Sequence, residues 1–127
     1  MHKTSNRRIL AIESMLSPAE LTERFPVTEA AAELVVTTRE NTSQILHKKD
    51  DRLLVVVGPC SVHDPAAAIE YAEGLSEIRS ELADQLEIVM RVYFEKPRTR
   101  VGWKGLINDP DLDGQFNINK GLQTARK

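Results

Sequence analysis

Residues Leu53-Leu-Val-Val-Val57 form an unbroken, mostly β-branched apolar run closed by Gly58-Pro59, and this run constrains the fold more than any other feature. Without polar alternation, such a segment reads as a strand buried on both faces, the habit of parallel sheets. Asp64-Pro65 then supplies a helix start, an N-cap followed by proline at the first helical position. Ile69, Tyr71, Ala72, Leu75, Ile78 and Leu82 recur every three or four residues, as on one helix face. A second apolar run, Leu86-Glu-Ile-Val-Met-Arg-Val-Tyr-Phe94, follows. Strand, helix and strand in this order predict a βαβ unit: a parallel pair joined by a right-handed crossover. The fold class is α/β.

The flanking segments read differently. Residues 1–50 are helical with polar punctuation, an arm distinct from the α/β segment of residues 51–127. Ser17-Pro18-Ala19-Glu20 has the form of a capping box, and Pro26 stops the short helix it opens. Thr28 caps a longer helix through Ala30, Ala31, Leu34, Val35, Thr38 and Ile45, with His47, Lys48 and Lys49 near its negative end. The plain reading of the arm is a helical segment packing on something else. Beyond the second run, Glu95 to Asp113 is a long loop broken by Pro97, Gly102, Gly105 and Pro110. A final helix begins near Asn117 or Asn119. Two β/α units with open parallel edges do not complete a fold, so the chain reads as the N-terminal portion of a longer protein.

Composition removes several classes. At 127 residues, 41% hydrophobic and 28% charged, the chain is globular and has room for one domain. No apolar run exceeds five residues, far short of the roughly 18 a membrane span requires. A single cysteine forms no internal disulfide, which fits a reducing cytoplasm. With a net charge of −2 there is no bulk attraction to nucleic acid or anionic lipid, so any anion site must be local.

Such a site is predicted at one end of the sheet. Parallel strands point their C-terminal ends the same way, and α/β folds bind ligands there. Cys60 follows the first strand, while Arg91 lies near the end of the second, with Lys96, Arg98, Arg100 and Lys104 in its loop. From Arg91 to Lys104 there are five cations and one acid, a local +4 suited to phosphorylated or carboxylated ligands. Plainer readings stand beside this one. Cys60 could be a buried small hydrophobe, and the loop cations a solvated surface. Tyr93, Phe94 and Trp103 suit core closure better than base stacking. Cys60 and His63 make half of a metal motif, and Asp64 is explained by its cap. Arg91 inside an apolar strand is harder to set aside, because a buried charge needs a partner or a polar cavity.

Three segments carry a resemblance: Gly58-Pro-Cys-Ser-Val-His-Asp64, Met90-Arg-Val-Tyr-Phe-Glu-Lys-Pro-Arg-Thr99 and Val101-Gly-Trp-Lys-Gly-Leu-Ile-Asn-Asp-Pro110. They closely resemble class I 3-deoxy-D-arabino-heptulosonate-7-phosphate synthase, the microbial, amino-acid-regulated family that opens the shikimate pathway. The resemblance is close from Arg52 to Lys127 and looser across the arm. Val62 replaces a common isoleucine, and Arg100 stands where an uncharged residue is usual.

The resemblance implies a (β/α)8 TIM barrel, of which this chain holds the N-terminal arm and the first two β/α units. It implies condensation of phosphoenolpyruvate with erythrose 4-phosphate, with release of phosphate, using one divalent metal of the manganese, iron, zinc or cobalt class. By the same resemblance Cys60 is a metal ligand whose partners lie outside this chain. Arg91 and Lys104 contact phosphoenolpyruvate, and Lys96 lies between the substrates as a proton donor. Pro97, Arg98 and Thr99 contact erythrose 4-phosphate, with Arg98 on its phosphate. The family further implies an aromatic amino acid effector, with a slight lean to tryptophan from the arm, and a dimer or tetramer built through the arm at full length. The fragment alone is expected to be inactive. Two alternatives remain open: the related synthase that uses arabinose 5-phosphate, and a non-catalytic anion-binding or regulatory module with a synthase-like N-terminus.

Overall fold

The computed structural model describes residues 5, 8, 9, 11–96 and 101–127. Its elements run α1 (Pro18–Arg24), α2 (Glu29–Leu46), β1 (Leu53–Val57), α3 (Pro65–Glu81), β2 (Leu86–Met90) and α4 (Ile118–Arg126). The strands pair in parallel, with Leu53 opposite Leu86 and Val57 opposite Met90. The βαβ unit is therefore as the apolar runs predict, and the helices start at the expected caps. Ser17 and Glu20 close a reciprocal capping box on α1, and Thr28 accepts from Ala31 N–H to open α2. Asp64 accepts from the N–H groups of Ala66 and Ala67, satisfying two donors that the first turn of α3 leaves free.

Two expectations about the strands need correction. The second strand ends at Met90, four residues before Phe94. Its partner sets this limit, because β1 runs into Gly58-Pro59 and proline has no N–H to continue a ladder. The first strand is also not buried on both faces: Leu53 is 65% and Val56 62% exposed. Among the described residues β1 has β2 on one edge and no strand on the other.

The helix faces follow the same division. Ala68, Ala72, Leu75, Arg79 and Leu82 are the partly buried positions of α3, spaced at three and four residues. Ile69, Tyr71 and Ile78, expected on that inner face, are exposed instead. The longer arm helix α2 packs on both strands, and α1 packs on α4.

At the N-terminal end of the sheet lies a buried charge. Glu87 is 2% exposed and is bound by three donors. Arg79 reaches Oε1 at 2.9 Å, while Arg52 at 3.1 Å and Asn41 at 2.8 Å reach Oε2. These donors come from α3, the segment leading into β1, and α2, so one carboxylate joins three parts of the chain. Desolvation pushes the Glu87 pKa up. Hydrogen bonds from Arg79 and Asn41, with the charges of Arg79 and Arg52, outweigh it and hold the group below its ordinary value.

The apolar core is small. Among the described residues, Val62, Ile88 and Leu106 are the buried hydrophobic side chains. The accessible surface is 10328 Å² for a mass of 14.3 kDa, against about 6,800 Å² for a compact monomer of that size. Much apolar surface is thus left uncovered within this chain. Among the described residues no helix is long and apolar enough to cross a membrane.

Candidate anion site at the strand ends

Beyond the last paired residues, the segments that follow the two strands stay side by side. Arg91 N–H donates to the Val57 carbonyl at 2.8 Å, and Val62 N–H donates to the Tyr93 carbonyl at 2.8 Å. Gly58 makes this approach possible: a Cβ there would lie 3.1 Å from Arg91 N and closer still to its carbonyl oxygen. Any side chain at position 58 would push the strand ends apart. The loop bearing Cys60 is thereby held beside the segment bearing Arg91.

Cys60 is exposed and its thiol is free, so the reading of a buried small hydrophobe does not hold. Its carbonyl oxygen accepts from Arg91 Nη2 at 3.2 Å. The same guanidinium stacks over the Tyr93 ring, 5.0 Å from its centroid. Arg91 lies outside the strand and is exposed, which corrects the picture of a charge inside a buried strand. One guanidinium edge is engaged with protein, and the group stays accessible. A fixed but open guanidinium is suited to grip an oxyanion arriving from solvent.

The following loop folds back on itself. Glu95 and Gly105 form an antiparallel bridge, and Lys96 N–H donates to the Lys104 carbonyl at 3.4 Å. Lys96 and Lys104 are thus held opposite one another, both exposed. Gly105 adopts φ +122°, where a Cβ would come 2.7 Å from Glu95 Cα, so glycine is required both by conformation and by space. Leu106, 2% exposed, anchors the turn and donates its N–H to the Phe94 carbonyl at 2.8 Å.

Buried Asp109 closes the loop. Its carboxylate accepts from Gly114 N–H at 3.2 Å, and its carbonyl accepts from Trp103 Nε1 at 2.6 Å. Trp103 therefore serves loop closure, as does Phe94 through its backbone. Pro97, Arg98, Thr99 and Arg100 lie outside the described residues.

As a metal donor, Cys60 has suitable chemistry: a soft thiol, accessible, at the C-terminal end of a parallel strand. Among the described residues, no three His, Cys, Asp or Glu side chains gather to hold a metal. His63 is exposed and completes no such group. Among the described residues Cys60 is thus a candidate donor without a coordination sphere around it.

Sequence reasoning missed the Glu87 network and the contacts of α4. An acid inside the run Leu86–Met90 was a readable signal, since a buried carboxylate requires cationic partners. In α4, Asn119 gave no such signal.

A parallel β/α unit with a free thiol and three exposed cations beyond its strand ends defines an α/β protein with a candidate anion site. Residues 18–125 match the DAHP synthetase I family, and the chain belongs to that family. It is 59% identical over 126 residues to the Phe-sensitive phospho-2-dehydro-3-deoxyheptonate aldolase of Escherichia coli, covering 99% of this chain and 36% of that protein. It is 54% identical over 127 residues to the Trp-sensitive enzyme of Buchnera aphidicola from Acyrthosiphon pisum, covering all of this chain and 36% of that protein. It is 57% identical over 122 residues to the aldolase of Amycolatopsis methanolica, covering 96% of this chain and 60% of that protein. The structure of the Francisella tularensis aldolase superposes with a TM-score of 0.88 at 50% identity, over 92% of this chain and 34% of that one. The chain thus spans about a third of the length of most of these relatives. Both Phe-sensitive and Trp-sensitive proteins occur among them, so identity over this span does not separate the effectors.

Proposed function

We propose that this chain is the N-terminal part of a synthase that joins phosphoenolpyruvate to erythrose 4-phosphate and releases phosphate, completed by the remainder of a (β/α)8 barrel. The observation that carries this reading is the gathering of Cys60, Arg91, Lys96 and Lys104 at the C-terminal ends of the parallel pair, inside a chain 54–59% identical to named aldolases of this type. An exposed thiol and a family of bacterial biosynthetic enzymes support a reducing, cytoplasmic setting.

The task of such a site is to hold two anionic substrates together against their repulsion. Arg91, steadied by the Cys60 carbonyl and the Tyr93 ring, presents a fork to the carboxylate or phosphate of phosphoenolpyruvate. Lys104 adds a second positive charge from the facing arm of the loop. Lys96, held opposite Lys104 by the backbone bridge, reaches the space between the substrates and donates a proton to the nascent alkoxide. Pro97, Arg98 and Thr99 are assigned to erythrose 4-phosphate, with Arg98 on its phosphate. C3 of phosphoenolpyruvate bonds to the aldehyde carbon, water adds at C2, and phosphate leaves by C–O cleavage. Pre-placed cations lower the barrier because they need not reorganise as charge shifts.

Cys60 would be one ligand of a divalent metal, with the other donors supplied by the rest of the longer protein. Such a metal, when bound, acts as a Lewis acid toward the aldehyde oxygen. An aromatic amino acid effector and assembly through the arm belong to the same proposal.

The test is an assay of the full-length protein for phosphate released from phosphoenolpyruvate, with erythrose 4-phosphate or arabinose 5-phosphate as acceptor. Release that depends on erythrose 4-phosphate supports the reading. A preference for arabinose 5-phosphate selects the sister synthase, and no release with either selects a binding module.

A further inference from the structure

Helix α4 lies between the arm and the loop that bears the lysines. Asn119 and Gly121 are two positions apart, which at about 100° per residue points them to nearly opposite sides of the helix. On one side the Asn119 amide takes a two-point hold on the extended segment before α1. Its Oδ1 accepts from Leu16 N–H at 2.8 Å, and its Nδ2 donates to the Ser14 carbonyl at 3.0 Å. These bonds span more than a hundred positions of sequence and use both ends of one side-chain amide. Near the other end of α4, the Lys127 ammonium sits over the Phe25 ring, 5.3 Å from its centroid, so the arm meets this helix twice.

On the opposite side, Gly121 is buried against the backbone of Ile107. A Cβ there would lie 2.7 Å from Ile107 Cα and nearer still to its carbonyl. Because this contact is backbone on backbone, no side chain can change rotamer to absorb a shift of the helix. Ile107 follows Leu106, which donates to the Phe94 carbonyl, and Gly105, which bridges Glu95. One residue further along each arm of that bridge stand Lys104 and Lys96.

We propose that α4 mechanically couples arm segment 14–16 to the bridge carrying Lys96 and Lys104, with Asn119 and Gly121 as positioning residues. The kinetic half of this inference rests on the anion-site reading above; the mechanical half does not. Releasing the Asn119 hold frees α4 to move, and the Gly121 contact passes that movement to the loop. Lys104 then loses placement toward phosphoenolpyruvate, and Lys96 loses placement for its proton transfer.

The experiment uses the full-length protein and its Asn119→Ala variant, with amide hydrogen exchange and steady-state kinetics measured together. Asn117, the residue that caps α4, is untouched by this change. Exchange should quicken at Leu16 and also at Leu106. The KM for phosphoenolpyruvate should rise about fivefold through Lys104, and kcat should fall by about the same factor through Lys96. Faster exchange at Leu16 alone, with Leu106 and KM unchanged, would overturn the coupling and leave a local strap. Should Asn119→Ala fail to fold, Asn119→Asp keeps the acceptor for Leu16 and removes the donor to Ser14. The carboxylate oxygen then faces the Ser14 carbonyl oxygen and repels it, so exchange should quicken at both amides, and an unchanged Leu106 amide would overturn the proposal. Amide exchange needs no substrate, so a wild-type protein without condensation activity would contradict the proposed function while exchange still decides the coupling.

Discussion

Arg91 and Cys60 meet across the two strand ends through the backbone of the cysteine: Nη2 donates to its carbonyl oxygen at 3.2 Å, leaving the thiol free. The two residues are 31 positions apart, and the parallel register brings them together. Support of the arginine and service of the thiol are therefore separable by mutation.

Cys60→Ser in the full-length protein should keep the fold and the Arg91 contact, because the accepting atom belongs to the main chain. It should lose bound metal and nearly all turnover, since a serine hydroxyl is a poor substitute for a soft thiolate. Metal analysis with a steady-state assay checks this. Normal metal content with normal turnover would remove Cys60 from the site.

Glu87 sets an acid limit on stability. Its folded pKa lies below its ordinary value, so the unfolded chain takes up a proton at a higher pH than the folded one. The stabilisation is fully present above the unfolded pKa and is lost as pH falls through the folded value. Denaturant melts of the full-length protein from pH 7 down to 3 should show falling stability below about pH 4.5, the ordinary glutamate value. Glu87→Gln should flatten that slope and cost about 1.5–3 kcal/mol at neutral pH. The figure lies under the full cost of a broken buried pair because Arg52 keeps Asp50 at 2.8 Å and both arginines retain solvent contact. An unchanged pH slope in Glu87→Gln would contradict this account.

The 127-residue chain expressed alone should be inactive and should not melt cooperatively as a monomer. Leu53, Val56, Ile69 and Val36 are each more than half exposed, and β1 keeps an unpaired edge. Ordering the chain costs about 1–2 kcal/mol per residue in backbone entropy, and the three apolar side chains buried among the described residues do not offset it. The expected species is aggregated or molten, visible by light scattering and a broad denaturant profile. A sharp monomeric transition would show that the small core suffices.

What the sequence disclosed was local. The run Leu53–Val57, the Asp64-Pro65 start and the capping box at Ser17 each carry their signal within a few residues, and each element formed where it pointed. The second strand was overestimated because apolar residues continue through Val92, Tyr93 and Phe94. Its true end is set by Pro59 on the neighbouring strand, which no pattern within the run contains. Of the candidate site residues, the strand-end positions of Cys60 and Arg91 and the facing placement of Lys96 and Lys104 follow from chain order and charge. The acid at Glu87 is visible within its apolar run, but two of its three partners, Arg52 and Asn41, lie 35 and 46 positions away, and no local pattern names them. Asn119 was invisible for the same reason, its hold on Leu16 spanning 103 positions. Side chains whose role depends on distant backbone leave no periodic trace.

The proposed function divides two anionic substrates between two arginines, with Arg91 serving phosphoenolpyruvate and Arg98 serving erythrose 4-phosphate. Steady-state kinetics of Arg91→Ala and Arg98→Ala in the full-length protein, each titrated with both substrates, test it most directly. Each substitution removes a charge-assisted contact of about 1.5–3 kcal/mol, a KM rise of roughly 10- to 150-fold. The account predicts that this rise falls on phosphoenolpyruvate for Arg91→Ala and on erythrose 4-phosphate for Arg98→Ala. A rise in KM for the same substrate alone in both variants, or no rise in either, would contradict it.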